Sequence, residues 1–133
     1  MALATIRPQA PRPAERARKP ASFEAKLAGL IAETAAPGWD DEDGQAIPAA
    51  CWGVVRELAM MVQSRWPDLP EPHPSAGGDG SRHLRWSCGG NLFDIEITED
   101  GRALWARRIG QKYDSGLAGS QAELLDRLEE TFS

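Results

Sequence analysis

Four consecutive carboxylates, Asp40-Asp41-Glu42-Asp43, form the densest run of potential ligands in the chain, and they suggest cation binding first. An EF-hand loop needs acids at its positions 1, 3 and 5, glycine at 6 and glutamate at 12. With Gly44 at position 6, Asp41 and Asp43 fall correctly, but Trp39 takes position 1 and Ala50 position 12, so the pattern fails. Clustered acids in a short loop also suit a helix N-terminus, where the helix dipole favours negative charge. Nucleophilic chemistry would need a thiol or hydroxyl within reach of an oriented base. Cys88 lies in a Ser87-Cys88-Gly89-Gly90 turn with His83 five residues away on the same extended segment, about 16 Å along a strand. Those two cannot meet. His73, His83, Cys51 and Cys88 show no CxxC or HxxxH spacing, so there is no zinc pattern. The Gly77-Gly78-Asp79-Gly80 cluster lacks the Gly-Lys-Ser/Thr ending of a phosphate loop. No metal or cofactor is expected.

The elements that would position these residues centre on 82–109, which reads as a three-stranded antiparallel meander. Gly89-Gly90 and Asp100-Gly101 are both hairpin centres, because such turns need positive φ. Centring on them pairs Trp86 with Phe93 and Leu84 with Ile95 in the first hairpin. In the second, Ile97 pairs with Leu104, Ile95 with Ala106, and Phe93 with Arg108. Alternation then sends Leu84, Trp86, Phe93, Ile95, Ile97, Leu104 and Ala106 to a core face. His83, Arg85, Asp94, Glu96, Trp105 and Arg107 go to the other. That second face is either plain solvated sheet or a docking surface with Trp105 as its anchor, since Trp and Arg are enriched at interface hot spots.

Ser22 can cap a helix over 23–34, with Phe23, Leu27, Leu30 and Ile31 on one side. Pro48 opens a second helix over 48–65, apolar enough to lie across the meander. Residues 67–81, with Pro67, Pro70, Pro72 and Pro74, read as an extended connector and turn, and residues 110–119 as a glycine-punctuated loop. Ser120-Gln-Ala-Glu123 is a capping box for a last helix over 120–131. The expected fold is α+β: a three-stranded antiparallel meander packed on one face by helices, forming a single domain over 22–133.

Ahead of it, residues 1–21 read as a disordered, Pro- and Arg-rich basic arm. Arg7, Arg12, Arg16, Arg18 and Lys19 against Glu15 give residues 1–20 a net charge of +4. The remainder carries ten basic and nineteen acidic residues, a net of −9. An acidic body disfavours a duplex-binding surface on the fold itself, because phosphate contacts dominate nucleic-acid affinity. No apolar run is long enough for a membrane span, and two unpaired cysteines suit a reducing, cytoplasmic setting.

Gly38-Trp39-Asp40, Ile47-Pro48 opening a helix, a Pro-rich connector, Asp79-Gly80 and Leu84-Arg85-Trp86 together resemble a recurrent group of short bacterial and phage proteins. Members of that group show a Gly-Trp-Asp-Gly-Tyr-Gly-Ala loop, a Pro-Ile-Ser helix start and a later Asp-Gly-x-x-Leu-Glu-Trp strand. The likeness covers roughly residues 38–105. This chain has Asp41-Glu42-Asp43 in place of Gly-Tyr-Gly, and Arg85 in place of Glu. The resemblance implies a mobile-element or host-conflict setting and assigns no chemistry.

The leading expectation is therefore a non-catalytic protein-binding or regulatory module, such as an inhibitor, antitoxin or anti-defence factor. Its contacts would be Trp105, Arg85, Arg107, His83 and Glu96 on the sheet and Asp40, Asp41, Glu42 and Asp43 in the loop. One alternative is nucleic-acid binding through Arg7, Arg12, Arg16, Arg18 and Lys19. Another is a small metal-assisted enzyme.

Overall fold

A computed structural model describes residues 22–133; the basic arm and its Arg7, Arg12, Arg16, Arg18 and Lys19 lie outside the described residues. Helix α1 (Phe23–Glu33) is followed by the 38–45 loop, a 3-10 turn (Ala49–Trp52) and helix α2 (Gly53–Arg65). Strands β1 (His73–Ala76), β2 (Arg82–Cys88), β3 (Asn91–Ile97), β4 (Ala103–Ile109) and β5 (Lys112–Leu117) come next, and helix α3 (Gln121–Phe132) ends the chain. All five strands form one antiparallel sheet in sequence order.

The sheet thus extends the expected three strands by one at each edge. Proline hides β1 from a sequence reading. Pro74 sits opposite Leu84 in a strand with only one neighbour, the setting in which a sheet tolerates proline. Strand β5 hides because Lys112, Tyr113, Asp114, Ser115, Gly116 and Leu117 show no apolar alternation; its pairing with β4 through the Gly110-Gln111 turn defines it.

The first hairpin has the expected register, with Leu84 opposite Ile95, Arg85 opposite Asp94, and Trp86 opposite Phe93. Its two-residue loop, Gly89-Gly90, has φ of 61° and 83°, the positive pair that a type I′ turn requires. The second hairpin differs by one residue. Ile95 faces Trp105, Phe93 faces Arg107, and Ile97 faces Ala103. Its loop has three residues, Glu99-Asp100-Gly101. The Gly101 N–H donates to the Thr98 carbonyl, the Thr98 N–H to the Arg102 carbonyl, and Gly101 sits at φ 86°. This is a tight turn closed by a left-handed glycine bulge. The odd loop length turns β4 over. Trp105 joins the core at 5% exposed, while Leu104 and Ala106 face the other way.

All three helices lie against one face. Val55, Leu58 and Val62 of α2, Leu27 of α1, and Leu124 and Leu128 of α3 close over Leu84, Trp86, Phe93, Ile95, Ile97 and Trp105. Burying a large apolar side chain stabilises the fold by about 1.5–3 kcal/mol, so this layer is the main source of stability. The Phe93 and Trp105 rings stack with centroids 6.5 Å apart. Gly116, opposite Trp105 on β5, leaves room for the indole; a Cβ there would lie 3.1 Å from it. The helix caps follow the sequence. The Ser22 hydroxyl accepts from the Ala25 N–H, and the Ser120 hydroxyl from the Glu123 N–H.

Candidate functional site

The opposite face of the sheet carries no helix among the described residues. Two rows cross it: His73, Arg85, Asp94, Ala106 and Ser115, then Ser75, His83, Glu96, Leu104 and Leu117. His83, Arg85, Asp94, Glu96, Leu104 and Leu117 line a shallow concavity of about 450 Å³. Of the expected contact residues, His83, Arg85 and Glu96 lie on this face. Trp105 and Arg107 do not, because the three-residue loop turns them toward α3. There the Arg107 and Arg127 guanidinium carbons lie 5.4 and 4.9 Å from the Trp105 ring centroid. Arg107 also pairs with Glu130 at 2.9 Å and Asp114 at 3.3 Å, holding the Glu130 carboxyl below its ordinary range. The expected Trp105 anchor is therefore a core residue, and Arg107 links α3 to the sheet.

One end of the open face runs into an acidic rim built from three loops. The Gln45 N–H donates to the Gly78 carbonyl, joining the 38–45 loop to the Gly77–Gly80 turn. Gly80 in turn packs on the Glu99 side chain of the β3–β4 turn. These loops carry Asp41, Glu42, Asp43, Asp79, Glu99 and Asp100, with Arg102 as the exposed cation, itself paired to Asp100 at 3.1 Å. The Thr98 hydroxyl and then Arg102 hold the Asp100 carboxyl below its usual range.

The acidic run is not uniform. Asp40 Oδ1 accepts from the N–H groups of Glu42 (3.1 Å) and Gly44 (2.9 Å). Its carboxylate fills the space that a Cβ on Gly44 or Gly78 would take. Asp40 is thus the organiser of the loop, whereas Asp41, Glu42 and Asp43 are exposed. Asp41 adopts φ 63°, a left-handed conformation that aspartate tolerates better than most residues. The Trp39 indole N–H closes the loop on the Gln45 carbonyl at 2.8 Å. Among the described residues, no group of three or more His, Cys, Asp or Glu side chains is arranged to hold a metal ion.

A line of polar contacts connects rim and face. Asp79 Oδ1 accepts from the Ser81 N–H (3.0 Å) and the Ser81 hydroxyl (2.6 Å), which holds the Asp79 carboxyl below its ordinary range. Ser81 Oγ lies 3.1 Å from His83 Nε2, and His83 Nδ1 lies 3.6 Å from Asp94 Oδ1. Asp94 also accepts from Arg85 Nε at 3.0 Å. The Asp94 carboxylate favours the imidazolium, so His83 titrates above its ordinary range although burial opposes this.

The order Ser–His–Asp suggests a nucleophile relay, but proton counting reverses it. An ionised Asp79 only accepts, so the single Ser81 hydroxyl proton is directed to it and Ser81 Oγ accepts from His83 Nε2. Ser81 is also only 3% exposed. The network positions His83; it does not activate Ser81. Sequence reasoning placed Asp94 beside Arg85, but the Asp79–Ser81–His83 link depends on the shape of the 77–81 turn and had no sequence signal.

Cys51 is half-buried and Cys88 exposed, both as free thiols. No helix among the described residues is long and apolar enough to cross a membrane. No protein-family model, curated protein or solved structure matches the chain.

Proposed function

We propose that this chain is a non-catalytic protein-binding module, of the inhibitor, antitoxin or anti-defence kind, that docks a basic protein surface. One observation carries the reading: the uncovered sheet face ends in a rim of exposed carboxylates from three loops. The face offers Leu104, Leu117 and the aliphatic part of Arg85 as apolar contact area, while the rim supplies charge complementarity that steers encounter and fixes orientation. Asp41, Glu42 and Asp43 keep their place among the contact residues, with His83, Arg85 and Glu96 beside them. Asp94, Glu99 and Asp100 join them, and Asp40 acts by shaping the loop. The acidic body fits a factor that neutralises a basic enzyme, in the setting that the motif resemblance implies.

The test compares the full chain with an Asp41→Asn, Glu42→Gln, Asp43→Asn variant in which Asp40 is kept. Both are cross-linked to interacting proteins at low and high salt. The expected result is a basic partner whose cross-links map to the 38–45 and 98–102 loops. Its recovery falls with salt, because exposed charges are screened, and it is lost in the variant. Equal recovery of the same partner by both chains would refute the reading.

A further inference from the structure

The two edges of the sheet differ in a way that identifies an occupant for one of them. Strand β1 has four residues, contains Pro74 and packs against α1. Short length, proline and a covering helix are the usual means of blunting an edge. Strand β5 has six residues, no proline and, among the described residues, no strand neighbour beyond β4. In antiparallel pairs the residues bonded to a neighbour alternate with residues whose N–H and C=O point away. The Ala118 N–H bonds the Ala103 carbonyl, so Lys112, Asp114 and Gly116 bond to β4, and Tyr113, Ser115 and Leu117 present their backbone groups outward. The same three residues carry side chains on the open face. Tyr113 is 78% exposed and Leu117 57%.

We propose that the β5 edge is a homodimer interface, in which two copies pair antiparallel about a two-fold axis through Ser115 to form a continuous sheet. Self-complementarity is the argument. With Ser115 opposite its counterpart, Tyr113 faces Leu117 of the partner subunit twice over. Two exposed apolar side chains per copy are then brought together in aromatic–aliphatic cross-strand pairs along the open face. Every outward N–H and C=O of Tyr113, Ser115 and Leu117 finds a partner in that register. The Ser115 N–H is held in the free chain by Asp114 Oδ1 at 2.9 Å. It exchanges that carboxylate for a backbone carbonyl, and Asp114 keeps its Arg107 partner. The two-fold operator also brings both open faces to the same side, which extends the docking surface described above.

Sedimentation velocity of the full chain over a range of about 1–500 µM, spanning affinities of weak to moderate dimers, reads the proposal directly. The expected result is a concentration-dependent dimer. Ser115→Pro should weaken it at least about tenfold, because proline removes an outward N–H without disturbing the ladder to β4. Leu117→Lys, which puts a charge opposite each tyrosine, is the second variant and should weaken it likewise should the proline variant misfold. Under oxidation, Ser115→Cys in a Cys88→Ser background should form a disulfide dimer, since Cα atoms about 5.5 Å apart in such a pair are within disulfide range. A native chain that stays monomeric throughout the range, or a dimer unchanged by Ser115→Pro and Leu117→Lys, would overturn it.

Discussion

The two central hairpins are built from the same materials and teach opposite lessons. Each joins seven-residue strands through glycine at positive φ, yet the β2–β3 loop has two residues and the β3–β4 loop three. An even loop leaves the inward set of the first hairpin where simple centring puts it. The odd loop reverses every side chain of β4 relative to that centring. One residue in a turn decides whether a tryptophan is a docking anchor or a core residue.

That contrast can be broken at its source. Inserting one alanine between Arg102 and Ala103 leaves the Glu99-Asp100-Gly101 turn intact but brings Leu104 opposite Ile95, which should force Trp105 out of the core. The largest effect is expected here: loss of the cooperative thermal transition followed by circular dichroism. Retention of a native-like melt would mean that the turn does not set which β4 side chains face inward.

A gentler version compares neighbours on β4. Trp105→Ala should destabilise the fold by about 3–5 kcal/mol in urea unfolding, as for other buried aromatic truncations. Leu104→Ala, on the open face, should cost about 1 kcal/mol or less. The reverse order would restore the simple register.

The smallest effect sharpens the first hairpin. Because the Asp94 carboxylate favours the imidazolium form of His83, its folded pKa lies above the unfolded value of about 6.5. Its stabilising contribution is therefore complete below that value and is lost as pH rises through the folded pKa. Glu96, Asp79 and Arg85 share its surroundings, with the first two reinforcing the shift. Unfolding free energy measured across neutral pH should fall over this window in the native chain. Asp94→Asn should flatten the curve. An identical pH profile in both chains would remove Asp94 as the cause.

Much of the fold was legible because local signals agreed with packing. Ser22 and Ser120 mark helix starts at their observed places, Pro48 opens only the 3-10 turn that precedes α2 at Gly53, and the apolar alternation from Leu84 to Ile97 fixes the first hairpin. The edges were not legible. Pro74 reads as connector, and Lys112 to Leu117 lack alternation because an edge strand with one side over an indole and one side open needs none. At the site, the individual charges were visible but their grouping was not. The rim depends on three loops meeting through Gly78 and Gly80, contacts between residues distant in sequence that no short motif encodes.

The glycine under Trp105 has one more consequence. A strand ordinarily welcomes a branched residue at an inward position, where it adds grip on the layer beneath. At 116 the chain forgoes that, because the space is already taken by an aromatic ring reaching over from the neighbouring strand. The outermost strand is therefore held by its backbone, by the Asp114–Arg107 pair and by a side chain that is not its own, and at 116 any added side chain would have to push that ring aside.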